Sequence, residues 1–115
     1  MRHFVDRKRR TVQLSNLETI PGKRVVKHYG LVQGRAVRAK HVGRDFVAAF
    51  RHLFGGELDA YTGLLHEARE EALEQMQESA HQVGANAVLN VRFSTSSVMH
   101  GAAEVFVYGT AVFVE

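Results

Sequence analysis

The chain predicts an α+β fold, a mainly antiparallel sheet packed by one short and one long helix. Three observations carry that expectation. Residues 57 to 83 repeat apolar side chains three and four apart, the period of a helix with one buried side. Residues 86 to 95 alternate apolar and polar, while residues 103 to 114 are apolar on both sides, the patterns of a half-covered and a fully covered strand. With 115 residues and no cysteine, the chain fits a single core and excludes disulfides, thiolate metal sites and cysteine nucleophiles.

The elements follow in order. Residues 1–10 carry five basic groups and one acid and read as a basic N-terminal extension, frayed at its start. Residues 11–115 form the single domain. Thr11-Val12-Gln13-Leu14 suit a short strand, and Pro21-Gly22 marks the turn that opens the body. From Lys23 to Val42 two apolar runs are split by Gln33-Gly34, which predicts a tight hairpin turning at that pair. Such a hairpin places Val26, His28, Val32, Val37, Ala39 and His41 on one face. Val25, Lys27, Tyr29, Leu31, Ala36, Arg38, Lys40 and Val42 fall on the other, so neither face is cleanly polar.

Asp45 is a good N-cap for a short helix from Phe46 to about Phe54, because its carboxylate can accept a free amide hydrogen of the first turn. Gly55-Gly56 ends it. The long helix starts near Leu58, with Glu57 and Asp59 at the positive end of its dipole, and Gly84 stops it. At 1.5 Å per residue it is about 37 Å long. Its buried stripe is Tyr61, Leu65, Ala68, Ala72, Met76, Ala80 and Val83, and Glu67, Glu70, Glu71, Glu74 and Glu78 take the exposed sides. On the next strand Ala87, Leu89, Val91 and Phe93 are expected on one face, with Asn90, Arg92 and Ser94 on the other. The last strand sends Ala103, Val105, Val107, Ala111 and Phe113 one way and Phe106, Tyr108, Val112 and Val114 the other.

A strand apolar on both faces must be covered on both. One long helix covers one face of a small sheet, so the second face needs the short helix or another subunit, and self-association is the expectation. Charge points the same way. The basic pI of 9.6 first suggests an anionic partner, but residues 11–56 hold eight basic groups against two acids and residues 57–115 hold two against nine. Halves of opposite sign attract within a subunit or between neighbours, and a head-to-tail contact between them closes naturally into a ring.

The chemistry-bearing residues are sparse. His28 and His41 share one face of the expected hairpin and could bring two imidazoles to one divalent ion, although no third ligand is placed nearby and neither HExxH nor a Cys/His finger occurs. Lys27, Tyr29, Arg38 and Lys40 share the other face, where basic groups beside an aromatic ring could hold a phosphate or a stacked base. The competing use of those charges is to meet the acidic helix of a neighbour. Ser96, Ser97, His100 and Glu104 hold the side-chain types of a hydrolytic triad, but they crowd a loop between two strands and read as polar loop residues. No nucleotide motif is present. An apolar run of the ~18 residues needed to span a bilayer is absent, and the charged N-terminus lacks the apolar segment of a signal peptide, so a cytoplasmic protein is expected.

Thr19-Ile20-Pro21-Gly22-Lys23, Gly55-Gly56-Glu57, Tyr61-Thr62, Glu67-Ala68-Arg69-Glu70-Glu71-Ala72, Gly84-Ala85-Asn86-Ala87-Val88, Val91-Arg92-Phe93, Thr95-Ser96 and Tyr108-Gly109-Thr110-Ala111-Val112 occur in this order from about residue 17 to the C-terminus. Jointly they resemble the YbjQ-like family, also filed as a "putative heavy-metal-binding" domain. The resemblance implies an α+β subunit, similar to the dodecin subunit, that assembles into a ring: a homopentamer, or two of them paired as a decamer. The metal-binding label brings no motif that falls on numbered residues of this chain. The resulting expectation is a non-enzymatic oligomer that binds a metal ion or small ligand at subunit interfaces. The alternative is binding of an anionic ligand or nucleic acid through the basic hairpin and N-terminal tail.

Overall fold

The apolar period of the long helix is realised over Glu57–Gln82 (α1). The computed structural model describes residues 12–39, 57–99 and 102–115. The expected short helix at 46–54, the N-terminal extension, Lys40, His41 and His100 lie outside the described residues. Helix α1 ends as its sequence requires. Gly84 adopts a φ of 98°, its amide donates to the His81 carbonyl at 3.0 Å, and the Ala85 amide donates to the Ala80 carbonyl at 3.0 Å. These are the paired bonds of a Schellman cap, which needs a residue tolerant of positive φ at this position.

The strands are Gln13–Leu14 (β1), Val25–Ala39 (β2), Ala87–Met99 (β3) and Ala102–Val114 (β4), in the spatial order β1-β3-β4-β2. The β1/β3 pair is parallel, whereas β3/β4 and β4/β2 are antiparallel, giving among the described residues a mixed sheet with one helix on it. The turn into β2 is set locally. Lys23 donates to the Ile20 carbonyl at 3.0 Å across Pro21-Gly22, and Gly22 has a φ of 79°. Proline followed by a positive-φ glycine is the signature of a type II turn.

The predicted hairpin at Gln33-Gly34 does not form. Residues 25–39 are one continuous strand, in register with β4 from Leu31 opposite Thr110 to Ala39 opposite Ala102. Gly34 serves space rather than turning. A Cβ built there would lie against the Ala72 carbonyl oxygen, 2.9 Å from the Ala72 carbonyl carbon and 3.0 Å from the Met76 amide nitrogen. The glycine lets α1 rest its backbone directly on the sheet. Directly paired residues share a face, so Val32, Gly34 and Ala36 face the helix together with Val105, Val107 and Gly109, and Leu31, Gln33, Arg35 and Val37 face away.

On α1, Ala68, Ala72, Met76 and Ala80 are fully buried, with Leu65 and Leu73 packed beside them. Val83, expected in this stripe, is instead exposed, since it follows the last helical turn. Strand β3 departs from its alternation as well. Asn90 and Val91 together stand opposite Gly109, and Asn90 takes a φ of 55°, a bulge that reverses the faces beyond it. Ala87 and Leu89 therefore lie on the side away from the helix, whereas Val91 and Phe93 lie on the helix side. The loop after β1 seats on this bulge. Asn90 donates its amide to Leu17, Val91 to Ser15, and the Arg92 guanidinium donates to the Asn16 carbonyl at 2.8 Å.

The C-terminal end of β4 is held by a side chain acting as a strand. Asn86 Nδ2 donates to the Val114 carbonyl and Asn86 Oδ1 accepts from the Val114 amide, both at 2.8 Å and partly buried. Asn86→Ala leaves both backbone groups without a protein partner and is expected to cost about 1–3 kcal/mol in urea unfolding. A loss within experimental error would show that water replaces the amide at no cost.

Candidate functional site

Two surfaces arise from this packing. The first is the sheet face away from α1, together with the outer edge of β2. Near its β1 end this face is closed by a small apolar cluster of Ile20, Ala87, Leu89, Val112 and Val114. Farther along it opens. Leu31 is 70% exposed and Val37 49% exposed, on either side of Gln33 and Arg35. Phe106 and Tyr108 lie beside them on β4, their ring centroids 5.7 Å apart. Arg35 Nε approaches a Glu104 carboxylate oxygen at 3.7 Å on the same face.

The edge of β2 adds a backbone feature. Along an edge strand every second residue turns both its amide and its carbonyl outward. The Arg35 amide is outward and donates to Gln75 Oε1 of α1 at 3.0 Å. Leu31, Gln33 and Val37 share its phase, and no side chain meets their amides among the described residues.

The second surface is a groove of about 450 Å³ between the first half of α1 and β3, lined by Thr62, Leu65, His66, Arg69, Phe93, Thr95 and Val105. It exists because α1 lies over β2 and β4 and only grazes β3. The bulge at Asn90 then turns Phe93 toward this uncovered strip, where it stays 46% exposed. Sequence reasoning missed these residues. Their signal was present in the helical spacing of 62, 65, 66 and 69, but the matching strand residues appear only once the bulge has reversed the face of Phe93.

The residues singled out from sequence are not assembled within the described chain. His28 is exposed on the open face, opposite Val112. No group of three or more His, Cys, Asp or Glu side chains able to hold a metal occurs among the described residues. The described residues therefore do not by themselves form a complete metal site. Lys27 and Tyr29 sit near the C-terminal end of α1, with Lys27 Nζ 5.0 Å from the Tyr29 ring centroid, while Gly84 abuts the Tyr29 hydroxyl. Arg38 is nine residues farther along the same strand, roughly 30 Å at the rise of an extended chain. There it donates to Glu71 at 2.8 Å and approaches Glu67 at 3.6 Å. The basic strand thus meets the acidic helix inside the subunit at this point, and a single four-residue anion site is not formed by Lys27, Tyr29 and Arg38. Of the triad-type group, Ser96 and Glu104 are ladder partners.

Fold and surfaces define a class of protein: an α+β subunit with one long helix backing a mixed four-stranded sheet whose other face is partly open. The sequence model of the YbjQ family, described as "Putative heavy-metal-binding", matches residues 12–115. The chain belongs to that family. It is 65% identical over 102 residues to a UPF0145 protein of Hahella chejuensis, covering 89% of this chain and 98% of that one. A UPF0145 protein of Thermus thermophilus is 54% identical over 104 residues, covering 90% and 91%. A crystal structure of a DUF74-family protein of unknown function from Pediococcus pentosaceus is similar in fold, with a TM-score of 0.56, 12% identity, and coverage of 90% of this chain and 98% of that one. Among the described residues no helix is long and apolar enough to cross a membrane.

Proposed function

We propose that this chain is a non-enzymatic, self-associating subunit whose copies meet through the outer edge of β2 and the open sheet face. A metal ion or small ligand is held where copies meet. The observation that carries this reading is the edge of β2: outward backbone groups at Leu31, Gln33 and Val37 that have no partner among the described residues, with two of those side chains apolar and exposed. A long edge of this kind templates another strand unless it is blocked, and here a single amide is capped by a side chain among the described residues. The occupant is a second copy because one chain carries both halves of a head-to-tail contact. Its β2 edge offers Leu31 and Val37, and its open face offers Tyr108 with both signs of charge at Arg35 and Glu104.

A contact joining two different patches closes into a ring when its rotation divides a full turn. The homopentamer and its decameric pairing, expected from the family likeness, are one such closure. His28 faces the same open side, so an interface is where it would find further ligands from a neighbouring copy.

Light scattering at micromolar concentration is expected to give a mass several times the 12.9 kDa of one chain. Leu31→Asp, which places a charge on the shared edge, should shift that mass toward one chain with an unchanged circular dichroism spectrum. A folded wild-type monomer at that concentration would overturn the proposal.

A further inference from the structure

We infer that the groove between α1 and β3 is a binding site for a small organic carboxylate with a flat apolar body. Its volume of about 450 Å³ suits a small molecule rather than a water cluster. The floor is apolar, formed by Leu65, Phe93 and Val105, with the Phe93 ring partly open. One charge faces this floor. Arg69 is the sole lysine or arginine in α1, and it forms no ion pair among the described residues although the helix carries many glutamates.

Arg69 Nη2 donates to His66 Nδ1 at 3.0 Å. A guanidinium has no acceptor, so Nδ1 must carry the lone pair and the ring proton of a neutral His66 sits on Nε2. The imidazole thereby orients the guanidinium, leaving its other donors for an oxygen pair. A carboxylate matches that fork with two parallel hydrogen bonds. A flat apolar body attached to it would stack on Phe93 and displace water from Leu65. A single guanidinium balances one negative charge, so a monoanion is favoured over a phosphate dianion.

This site is separate from the β2 edge, and its test reads both. The full chain is titrated with 1-naphthoate and with the neutral 1-naphthalenemethanol, followed by calorimetry and by the methyl resonances of Leu65 and Val105, while light scattering reports the assembly of the same samples. One naphthoate should bind per chain, and Arg69→Gln should weaken it by about tenfold or more. The alcohol should bind equally weakly to the wild type and the variant. Because Arg69 is exposed, Arg69→Gln is expected to keep both fold and assembled mass. Equal affinity of naphthoate for wild type and Arg69→Gln, equal affinity of naphthoate and alcohol for wild type, or no naphthoate binding would each overturn the inference. None of these outcomes bears on the β2 edge, which the scattering mass judges alone.

Discussion

Replacing Gly34 by alanine is expected to destabilise the protein by about 3 kcal/mol, the upper end of the usual range for overpacking a core. The added methyl group has backbone on its far side, the Ala72 carbonyl and the Met76 amide, rather than a side chain that could turn away. Relief requires α1 as a whole to lift from β2, which would loosen the buried contacts of Ala68, Ala72, Met76 and Ala80 together. For a domain of this length the loss corresponds to a fall of roughly 10–15 °C in Tm. Thermal unfolding followed by circular dichroism measures it. Gly30 supplies the contrast in space, because a Cβ there meets nothing within 4 Å and would be strained only by its φ of 102°. A Gly34→Ala protein that melts like the wild type would mean that the helix does not rest on this strand.

Truncating Met76 to alanine is expected to cost about 2–5 kcal/mol, because the fully buried side chain is removed and its surroundings collapse only in part. Met76 is the one large side chain among the fully buried residues of the stripe, the others being Ala68, Ala72 and Ala80. The alanines allow the helix to approach; the methionine fills what remains. Met76→Leu, which nearly conserves volume, should cost under about 1.5 kcal/mol. Val83→Ala should change little, since Val83 is 49% exposed. Urea unfolding of the three variants at one protein concentration ranks them without interference from any dependence of stability on assembly. Equal stability of Met76→Ala and Val83→Ala would refute the assigned stripe.

The legible parts of this fold were those governed by short-range rules. Gly84 closes α1 because a cap needs positive φ, and Pro21-Gly22 turns because proline and glycine preset its two central positions. The apolar period from Leu65 to Ala80 located the buried face of the helix, and the apolar run of residues 103–114 falls within one strand, β4. The hairpin failed for an instructive reason. Glycine after a polar residue between apolar runs fits a tight turn, yet it fits equally well where another backbone comes close, and local sequence does not distinguish them.

The same limit applied to the candidate sites. Pairing His28 with His41, and grouping Lys27 and Tyr29 with Arg38 and Lys40, rested on folding residues 25–39 back on themselves. As a single extended strand the segment sends Lys27 and Arg38 to opposite ends, and Arg38 is claimed by Glu71. The groove was hidden for the complementary reason. Strict alternation puts Phe93 with Leu89, but Asn90 spends an extra residue opposite Gly109 and moves Phe93 to the helix side.

By itself the sequence determined the α+β class, the existence and ends of the long helix, the turn before β2, and a strand apolar on both faces. Each follows from side-chain period or from the φ that one residue can adopt. The tertiary structure decided that residues 25–39 run straight, that Gly34 is a seat for Ala72, and that Arg69 and Phe93 share a groove. Those outcomes depend on which backbones meet at a distance, and that is set by the packing of the whole sheet against α1.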